Sequence, residues 1–296
     1  MAFEQQNVNY AAEYGRALAQ AYPYLSYFGE IWAANNSNLY RPGMGRTMYI
    51  PSLTTGGARA ADRDDIDGTF HRNWNNEMQT VTLEMDREWD TLVDPMDIDE
   101  ANMIPTISNI SRAFIEHQKV PEMDAYLAAK LAGFVTRDTT ALTAATILDT
   151  WDGYLERLAD ARVPRDRIHA YVTPAVHTLL KQAAGVSRFL DVGGGERGVN
   201  RNVSALDGVA IHIVPSDIMK TAFVFTEGWA VAENANQINM ILLDPEAVAA
   251  PVKYETSMIS PPTAQSKGKY LYYERYYYGA FALNNRKGGI IVNAAA

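Results

Sequence analysis

Apolar and polar positions alternate early in the chain, and this pattern predicts β-strands. One strand begins at Thr47-Met48-Tyr49-Ile50, and the pattern resumes where Val81, Leu83 and Met85 alternate with polar residues. The glycine-rich, charged segment 56–65 between them is typical of a flexible tip. Residues 46–94 therefore predict a long two-stranded ribbon. It should lie on another surface, of its own chain or of another subunit, because an isolated ribbon is only marginally stable in water.

The first 45 residues lack a long amphipathic period, which predicts an extended arm with a short helix. Aromatic clusters lie at Tyr22-Pro23-Tyr24 and at Tyr27-Phe28. Because no local core surrounds them, they should pack either on the body of the same chain or on a neighbouring subunit.

Apolar residues spaced by three and four predict a helical region over residues 97–135. They are Met103, Ile107, Ile110 and Phe114, followed by Met123, Leu127, Leu131 and Phe134. Asp97 and Glu100 fit an acidic capping box at its start. A continuous helix would be about 58 Å long, and Pro105 and Pro121 should bend or interrupt it.

An α/β pattern follows in residues 139–244. A helix is predicted from Leu142 to Leu158, then a strand at 168–172, and Thr173-Pro174 provides an N-cap and a first-turn proline for the next helix. Further strands are predicted at 209–214 and 222–225. This is the only part of the chain that reads as a self-contained domain.

The last 50 residues return to strands, predicted at 252–259, 269–278, 279–283 and 290–292. The order of elements predicts an α+β fold in which one domain is split by an inserted one. The predicted division is an arm (1–45), a ribbon (46–94), a peripheral domain (95–138 and 245–296, with its helix at 97–135) and an inserted domain (139–244).

Composition narrows the function classes. At 296 residues with 47% hydrophobic content the chain can bury a core, and it has no cysteine for disulfides, thiolate metal sites or a cysteine nucleophile. No signal peptide or membrane-spanning run is present, so the protein should begin in a cytoplasm. The net charge of −9 argues against binding nucleic acid through its phosphates.

One glycine-rich stretch imitates a cofactor site. The segment 189–198 matches G-x-G-x-x-G and resembles the cofactor loop of S-adenosylmethionine-dependent methyltransferases. Such loops need a following helix, and residues 199–203 show no helical period. We therefore predict a surface loop at Gly193, Gly194, Gly195, Glu196 and Arg197.

Other chemistry is weakly indicated. The five histidines, at 71, 117, 169, 177 and 212, have no metal-ligand spacing and are expected to be structural, and no G-x-S-x-G marks a serine nucleophile. The tyrosines of 270–278 could stack nucleobases but favour a packed sheet. We therefore expect no catalytic residue, no metal and no cofactor.

Carboxylates crowd residues 84–100, where Arg87 is the one basic residue. They are Glu84, Asp86, Glu88, Asp90, Asp94, Asp97, Asp99 and Glu100. A divalent cation site is one interpretation, but the stretch lacks the order of an EF-hand loop and favours a solvated face. A third hypothesis pairs it with a basic segment of another subunit, at Arg157, Arg162, Arg165 and Arg167.

The run WDTLVDPMDIDE at 89–100, with Phe114 and the run QKVPEMDAY at 118–126, resembles major capsid proteins of tailed bacteriophages. The resemblance is strongest over residues 89–131. It implies the Hong Kong ninety-seven capsid fold: an N-terminal arm, a ribbon called the E-loop, a peripheral domain with a long spine helix, and an axial domain inserted before the closing strands. The elements predicted from the residues have the same order.

The resemblance further implies a non-enzymatic subunit that forms the hexamers and pentamers of an icosahedral head enclosing double-stranded DNA, with the Gly193 loop near capsomer centres. Candidate inter-subunit contacts are Tyr24, Phe28, Arg59, Arg63, Asp65, Glu84, Asp86, Glu88, Arg157, Arg162, Arg165 and Arg167. Arm and ribbon should reach across neighbouring subunits.

Partners and location follow from the same resemblance. Only a short arm precedes the ribbon, so a separate scaffolding protein is expected, with a portal protein, possible decoration proteins and DNA that is packaged without sequence-specific binding. The expected location is the virion, after assembly in the host bacterial cytoplasm, with no membrane contact and no covalent cross-links between subunits. Alternatives are an encapsulin-like compartment shell, a methyltransferase, and a sheet-based module of a tail or decoration protein.

Overall fold

The computed structural model describes residues 25–33, 41–43, 45–58, 72–100, 107–183 and 203–295. Within these ranges no helix is long and apolar enough to cross a bilayer. The helices are α1 (Gly29–Trp32), α2 (Pro95–Glu100), α3 (Ile107–Phe114), α4 (Val120–Phe134), α5 (Ile147–Asp160) and α6 (Pro174–Gln182). A π-helical turn covers Ile115–Lys119, and 3-10 turns cover Arg165–Arg167, Pro245–Ala247 and Asn284–Gly289.

The strands fall into several small sheets around one larger sheet. They are β1 (Arg41–Pro42), β2 (Thr47–Thr55), β3 (Trp74–Thr82), β4 (Met85–Val93), β5 (His169–Val172), β6 (Ala205–Leu206), β7 (Val209–Ile213), β8 (Phe223–Val224), β9 (Ala230–Val231), β10 (Ile238–Leu243), β11 (Val248–Ala249), β12 (Val252–Ser260), β13 (Tyr270–Tyr278), β14 (Phe281–Ala282) and β15 (Ile290–Ala294).

The predicted ribbon is confirmed by β2 and β3, which pair antiparallel from Thr47 opposite Thr82 to Thr55 opposite Trp74. The second strand of the ribbon, β3, ends at Thr82, whereas the alternating pattern in the sequence continues to residue 86. Leu83 is fully buried and its N–H donates to the Arg46 carbonyl at 2.9 Å, and β4 then begins at Met85 in a different sheet. The alternation through residues 81–86 thus spans a joint between ribbon and body.

The peripheral sheet has the order β12-β13-β4 and is antiparallel throughout. Its period-2 pattern is clear in β13, where Tyr272, Glu274, Tyr276 and Tyr278 are buried while the residues between them are partly exposed. The buried face meets helices α3 and α4. This confirms the packed tyrosine-rich strand expected from the sequence.

The larger sheet has the order β15-β10-β5-β7-β6, and both of its faces are buried. Alternate residues of β10 enter two different cores: Ile241 and Leu243 pack with α4, whereas Met240 and Leu242 pack with α5 and α6. Strand β15 pairs with β10 along its whole length. Strand β15 therefore lies in the same sheet as strands of the inserted segment.

The helical region departs from regular α-helix next to Pro121, as that proline predicts. The π-helical turn precedes α4, where Pro121 occupies the first turn and has no N–H to donate to a carbonyl one turn earlier. Pro105 lies outside the described residues. The cap of α2 differs from the prediction: Asp94, not Asp97, accepts the Met96 N–H at 3.0 Å. The Thr173 cap of α6 is confirmed, since its hydroxyl accepts the Val176 N–H at 3.4 Å.

Candidate inter-subunit surfaces

A buried ion pair joins the spine helix α4 to the peripheral sheet. The guanidinium of Arg87 on β4 contacts both carboxylate oxygens of Glu122 on α4 at 2.8 Å, and the Tyr278 hydroxyl donates to the same carboxylate at 3.0 Å. Arg87 also donates to the carbonyls of Phe225 at 2.7 Å and Gly228 at 3.2 Å. Burial raises the pKa of the Glu122 carboxyl, while Arg87 and Tyr278 oppose that rise.

A second ionic contact lies one turn earlier, at the end of the π-helical turn. The Lys119 ammonium contacts the buried Glu274 carboxylate of β13 and the Glu255 carboxylate of β12, the latter at 2.6 Å. It also lies 4.4 Å from the ring centroid of Tyr276. The Tyr272 hydroxyl donates to Glu274 at 3.0 Å, and burial together with that carboxylate raises the pKa of Tyr272 to about 12. The helix and the sheet are thus held by two adjacent ion pairs.

Asp124, also on α4, holds the arm segment that precedes α1. Its carboxylate is fully buried and accepts from the Ser26 hydroxyl at 3.0 Å, the Tyr27 N–H at 2.8 Å and the Trp32 indole N–H at 3.3 Å. Three donors on a buried carboxylate compensate its desolvation. The arm segment 25–33 is therefore fastened to its own chain.

Phe28 shows the same intramolecular docking. Its side chain is 0% exposed and its ring centroid lies 4.7 Å from that of Tyr171 on β5. The Phe28 side chain therefore packs within its own chain, which is the intramolecular alternative for the aromatic residues of the arm. Tyr24 lies outside the described residues.

Glu122 and Asp124 belong to the sequence motif that resembles capsid proteins, but the sequence did not indicate what these residues contact. Glu122 and Asp124 flank Met123, which belongs to the apolar helical period. A charged residue on or beside the apolar face of a helix indicates a buried ion pair or hydrogen bond, because charged groups are rarely buried without a partner. The partners themselves lie far away in sequence: Tyr278 is 156 residues from Glu122.

The ribbon has one apolar face that is open to solvent. In the β2–β3 register, Tyr49, Leu53, Trp74 and Met78 all lie on this face, which we call the open ribbon face. Their exposed fractions are 37%, 63%, 51% and 58%. The Arg72 guanidinium lies 3.9 Å from the Trp74 ring centroid.

The opposite face of the ribbon is divided between core and solvent. Near the body, Met48 and Ile50 are 2% and 6% exposed, and Ile50 packs with Phe281 and Leu283. Farther out this face carries polar residues such as Thr54, which is exposed. The ribbon is therefore docked on its own chain through one face at its base and leaves the open ribbon face uncovered.

The acidic stretch confirms the predicted alternation on β4. Asp86, Glu88 and Asp90 lie on the outward face of the peripheral sheet, while the residues between them point inward. Part of this charge is neutralised within the chain. Arg275 contacts Asp86 at 3.0 Å, Arg46 contacts it at 3.1 Å, and the Tyr273 hydroxyl donates to Glu88 at 3.3 Å. Glu84 contacts Lys130.

The basic segment is used unevenly inside the chain. Arg167 contacts Asp244 at 2.5 Å and Glu246 at 2.8 Å, and this side-chain hydrogen bonding raises its pKa. Arg165 donates to the Asp207 carbonyl at 2.9 Å, and Arg157 lies 4.0 Å from Asp138.

Arg162 is exposed, with φ of 61° in the turn that follows α5. Arg162 and Arg165 thus remain candidates for contacts outside the chain, whereas Arg167 is engaged within it.

Several predicted residues lie outside the described part of the chain. These are Arg59, Arg63 and Asp65 at the ribbon tip and the loop at Gly193, Gly194, Gly195, Glu196 and Arg197. The histidines have no metal-ligand spacing in the sequence and were expected to be structural, but His169 Nδ1 lies 3.1 Å from His212 Nε2 and 2.7 Å from a Glu30 carboxylate oxygen. This cluster joins three elements, so sequence spacing gave no signal for it.

No protein-family model and no curated protein matches the sequence. Solved structures do match. A chain of mycobacterium phage Che8 is 16% identical, covering 97% of this chain and 98% of that one with a TM-score of 0.67. The capsid of cyanophage P-SCSP1u gives 14% identity, 97% and 93% coverage and a TM-score of 0.70. The head of Helicobacter pylori bacteriophage KHP40 gives 12%, 96% and 95%, and 0.59.

These similarities run over nearly the full length of each chain. The chain has the α+β fold of phage capsid chains, the Hong Kong ninety-seven type that its sequence motif implies.

Proposed function

We propose that this protein is the major capsid protein of a tailed bacteriophage. It is a structural subunit that self-assembles into hexamers and pentamers of an icosahedral shell around double-stranded DNA. The observation that carries the proposal is the match to phage capsid structures over 97% of this chain and at least 93% of theirs. The motif residues Trp89, Lys119, Glu122 and Asp124 support it, because they hold the spine helix to the sheet and to the arm.

The open ribbon face is the proposed contact with a neighbouring subunit. Large apolar side chains that are more than one-third exposed on a two-stranded ribbon gain stability when another surface covers them. The other ribbon face already rests on its own chain at the base, so only the open ribbon face has this need. Many such modest contacts add up in a closed lattice.

A second proposal concerns the charged segments. The exposed Arg162 and Arg165 of one subunit would face the outward carboxylates of β4 in a neighbour, since opposite charges favour and orient such contacts. Both arginines are exposed.

The further partners are proposed on the same basis. A separate scaffolding protein, a portal protein and decoration proteins would complete the head, which places the chain in the virion after assembly in the bacterial cytoplasm. The net charge of −9 supports a shell that encloses DNA without binding it tightly.

Electron microscopy and sedimentation of the expressed chain, alone and with a candidate scaffolding protein from the same genome, test the main proposal. Closed shells or isolated capsomers are the expected products. A folded monomer that assembles under none of these conditions would contradict it.

Neighbouring ribbon positions provide matched variants for the contact proposal. Leu53→Glu and Trp74→Glu change the open ribbon face, whereas Thr54→Glu and Asn75→Glu place the same charge one residue away on the other face. We expect the first pair to abolish or strongly reduce shell yield and the second pair to assemble. Equal effects of both pairs would remove the open ribbon face as a contact.

The charged contact has its own test. Arg162→Glu combined with Arg165→Glu should lower shell yield while the monomer stays folded. Adding Glu88→Arg should restore part of the yield if the two segments meet. Normal assembly of the double arginine variant would exclude the contact.

A further inference from the structure

Three potential metal ligands converge where the arm meets the larger sheet. Glu30 lies on α1, His169 on β5 and His212 on β7. Glu30 Oε2 lies 2.7 Å from His169 Nδ1 and 3.8 Å from His212 Nε2, and the two imidazole nitrogens are 3.1 Å apart. We call these residues the arm cluster.

The fold fixes the two imidazoles before any ligand arrives. Strands β5 and β7 are parallel, with Tyr171 opposite His212 and His169 opposite Ala210, so both histidines lie on the sheet face that α1 covers. The His212 ring stacks on Tyr171 with centroids 5.0 Å apart and on His169 at 5.4 Å. Stacking restricts the rings to this orientation.

Glu30 is positioned by the same anchors that dock the arm. Phe28 and Ile31, which lie before and after Glu30 in the chain, are buried, with 0% and 1% of their surface exposed. Asp124 also accepts the indole N–H of Trp32, at the end of the same short helix. The carboxylate is therefore delivered to the histidines by packing that does not depend on the cluster itself.

Hydrogen bonds alone cannot pair all three side chains of the arm cluster. His169 Nδ1 faces both the Glu30 carboxylate and His212 Nε2, yet one nitrogen carries at most one proton and can donate it in one direction. If His169 Nδ1 donates its proton to Glu30, it has no lone pair to accept a hydrogen bond from His212 Nε2. The two ring nitrogens then face each other without a hydrogen bond. A cation that accepts a lone pair from all three atoms removes this conflict.

We propose that Glu30, His169 and His212 bind one zinc ion that clamps the N-terminal arm onto the larger sheet. Zinc accepts imidazole nitrogen and carboxylate oxygen, and bonds of about 2.1 Å in a tetrahedron place ligand atoms about 3.4 Å apart. The three separations in the structure, 2.7, 3.1 and 3.8 Å, need only small shifts to meet that value. This inference is independent of the proposed shell function.

A water molecule can supply the fourth ligand. The Glu30 side chain is 47% exposed, and His212 lines an open cleft together with Leu25, Tyr27 and Ser204. The ion is assigned a structural role because it bridges the arm to two strands. Its binding free energy would be added to the docked state of the arm, since zinc binds this site only when α1 is in place.

Zinc titration of the full chain after treatment with a chelator tests the site. Isothermal titration calorimetry should give one zinc per chain, and cobalt in its place should give the visible absorption of a tetrahedral site. Each of Glu30→Gln, His169→Gln and His212→Gln should weaken zinc binding by about 100-fold or more, because even outer-sphere partners of a metal site contribute 10–100-fold. His117→Gln, on the π-helical turn, is the matched control and should bind as the unchanged chain does.

Hydrogen exchange provides the second readout. Zinc should slow amide exchange in residues 28–33 of the unchanged chain and leave it unaltered in Glu30→Gln, an exposed position where folding is not at risk. Absence of binding would overturn the proposal. So would zinc binding that survives the combined His169→Gln and His212→Gln change, which would reveal adventitious sites, or binding without any effect on the arm.

Discussion

The indole of Trp89 stacks on the ring of Phe114, with centroids 4.1 Å apart and planes inclined by 7°. Trp89 belongs to β4 of the peripheral sheet and Phe114 ends α3, so the stack joins the end of α3 to the sheet. Tyr272 of β13 meets the same indole edge-on, at 5.6 Å. Two residues that mark the sequence resemblance are therefore in direct contact.

We predict that the stack contributes a measurable coupling energy. In a double-mutant cycle of Trp89→Leu and Phe114→Leu, the coupling should be about 0.5–1.5 kcal/mol, as for other aromatic pairs. The measurement is the free energy of unfolding from denaturant titration of the soluble chain. Phe114→Leu should be additive with Phe223→Leu, because the Phe223 ring meets Phe225 at a tilt and Trp229 edge-on instead. A zero coupling for the first pair would mean that the rings do not interact in solution.

The buried ion pair predicts an asymmetric response to substitution. Arg87→Met should destabilise the fold by about 3–5 kcal/mol, because it leaves the Glu122 carboxylate, 4% exposed, without its partner. The combined Arg87→Met and Glu122→Leu change removes both charges and should be less damaging than Arg87→Met alone. Tyr278→Phe should cost about 1.5–3 kcal/mol for the lost hydrogen bond to a charged group. A double variant that is worse than the single one would contradict this account.

The local features of the fold could be predicted from the sequence. Alternation placed Asp86 and Glu88 on one face of β4, and Thr173-Pro174 marked the start of α6 correctly. The α2 cap was misplaced by three residues, from Asp94 to Asp97. Both fit a capping pattern, and only Pro95 in the first helical position selects the earlier one.

Long-range pairing could not be predicted in the same way. Strand β15 is apolar on both faces, so its composition indicates burial but names no partner among the strands of the chain. Lys119 meets Glu274 across 155 residues, and the arm cluster joins three elements. These contacts join residues that are far apart in the sequence, and only the complete fold brings them together.

Gly279 sets the joint between ribbon and body. A Cβ at this position would lie 2.9 Å from Leu83 Cδ2 and 3.2 Å from Leu83 Cα, and Leu83 is fully buried. Gly279→Ala should therefore destabilise the fold by about 1–3 kcal/mol through overpacking. Gly133→Ala, in the last turn of α4 with open space around its Cβ, should be neutral or stabilising by about 0.5–1 kcal/mol. Thermal unfolding of the two variants distinguishes them, and equal melting temperatures would exclude the proposed crowding.

His177 predicts how the stability of the chain depends on pH. Its side chain is 4% exposed and its Nε2–H donates to the Val203 carbonyl at 3.1 Å, with Lys181 one turn later on the same helix. Burial lowers the pKa of His177 below its ordinary value of 6.5; the hydrogen bond opposes this shift and the lysine adds to it. The unfolded chain therefore binds the proton more readily than the folded chain. The stabilising contribution is complete above pH 6.5 and is lost as the pH falls below it, by at most about 1.4 kcal/mol per pH unit for one proton.

His177→Gln keeps a donor for the Val203 carbonyl but cannot titrate. We expect the free energy of unfolding of the unchanged chain to fall more steeply between pH 6.5 and 5 than that of the variant. The difference between the two curves cancels the titration of the other histidines, and a chelator in both samples removes any effect of bound metal. Parallel curves would show that His177 has the same proton affinity in the folded and unfolded chain, and the burial argument for this residue would then be wrong.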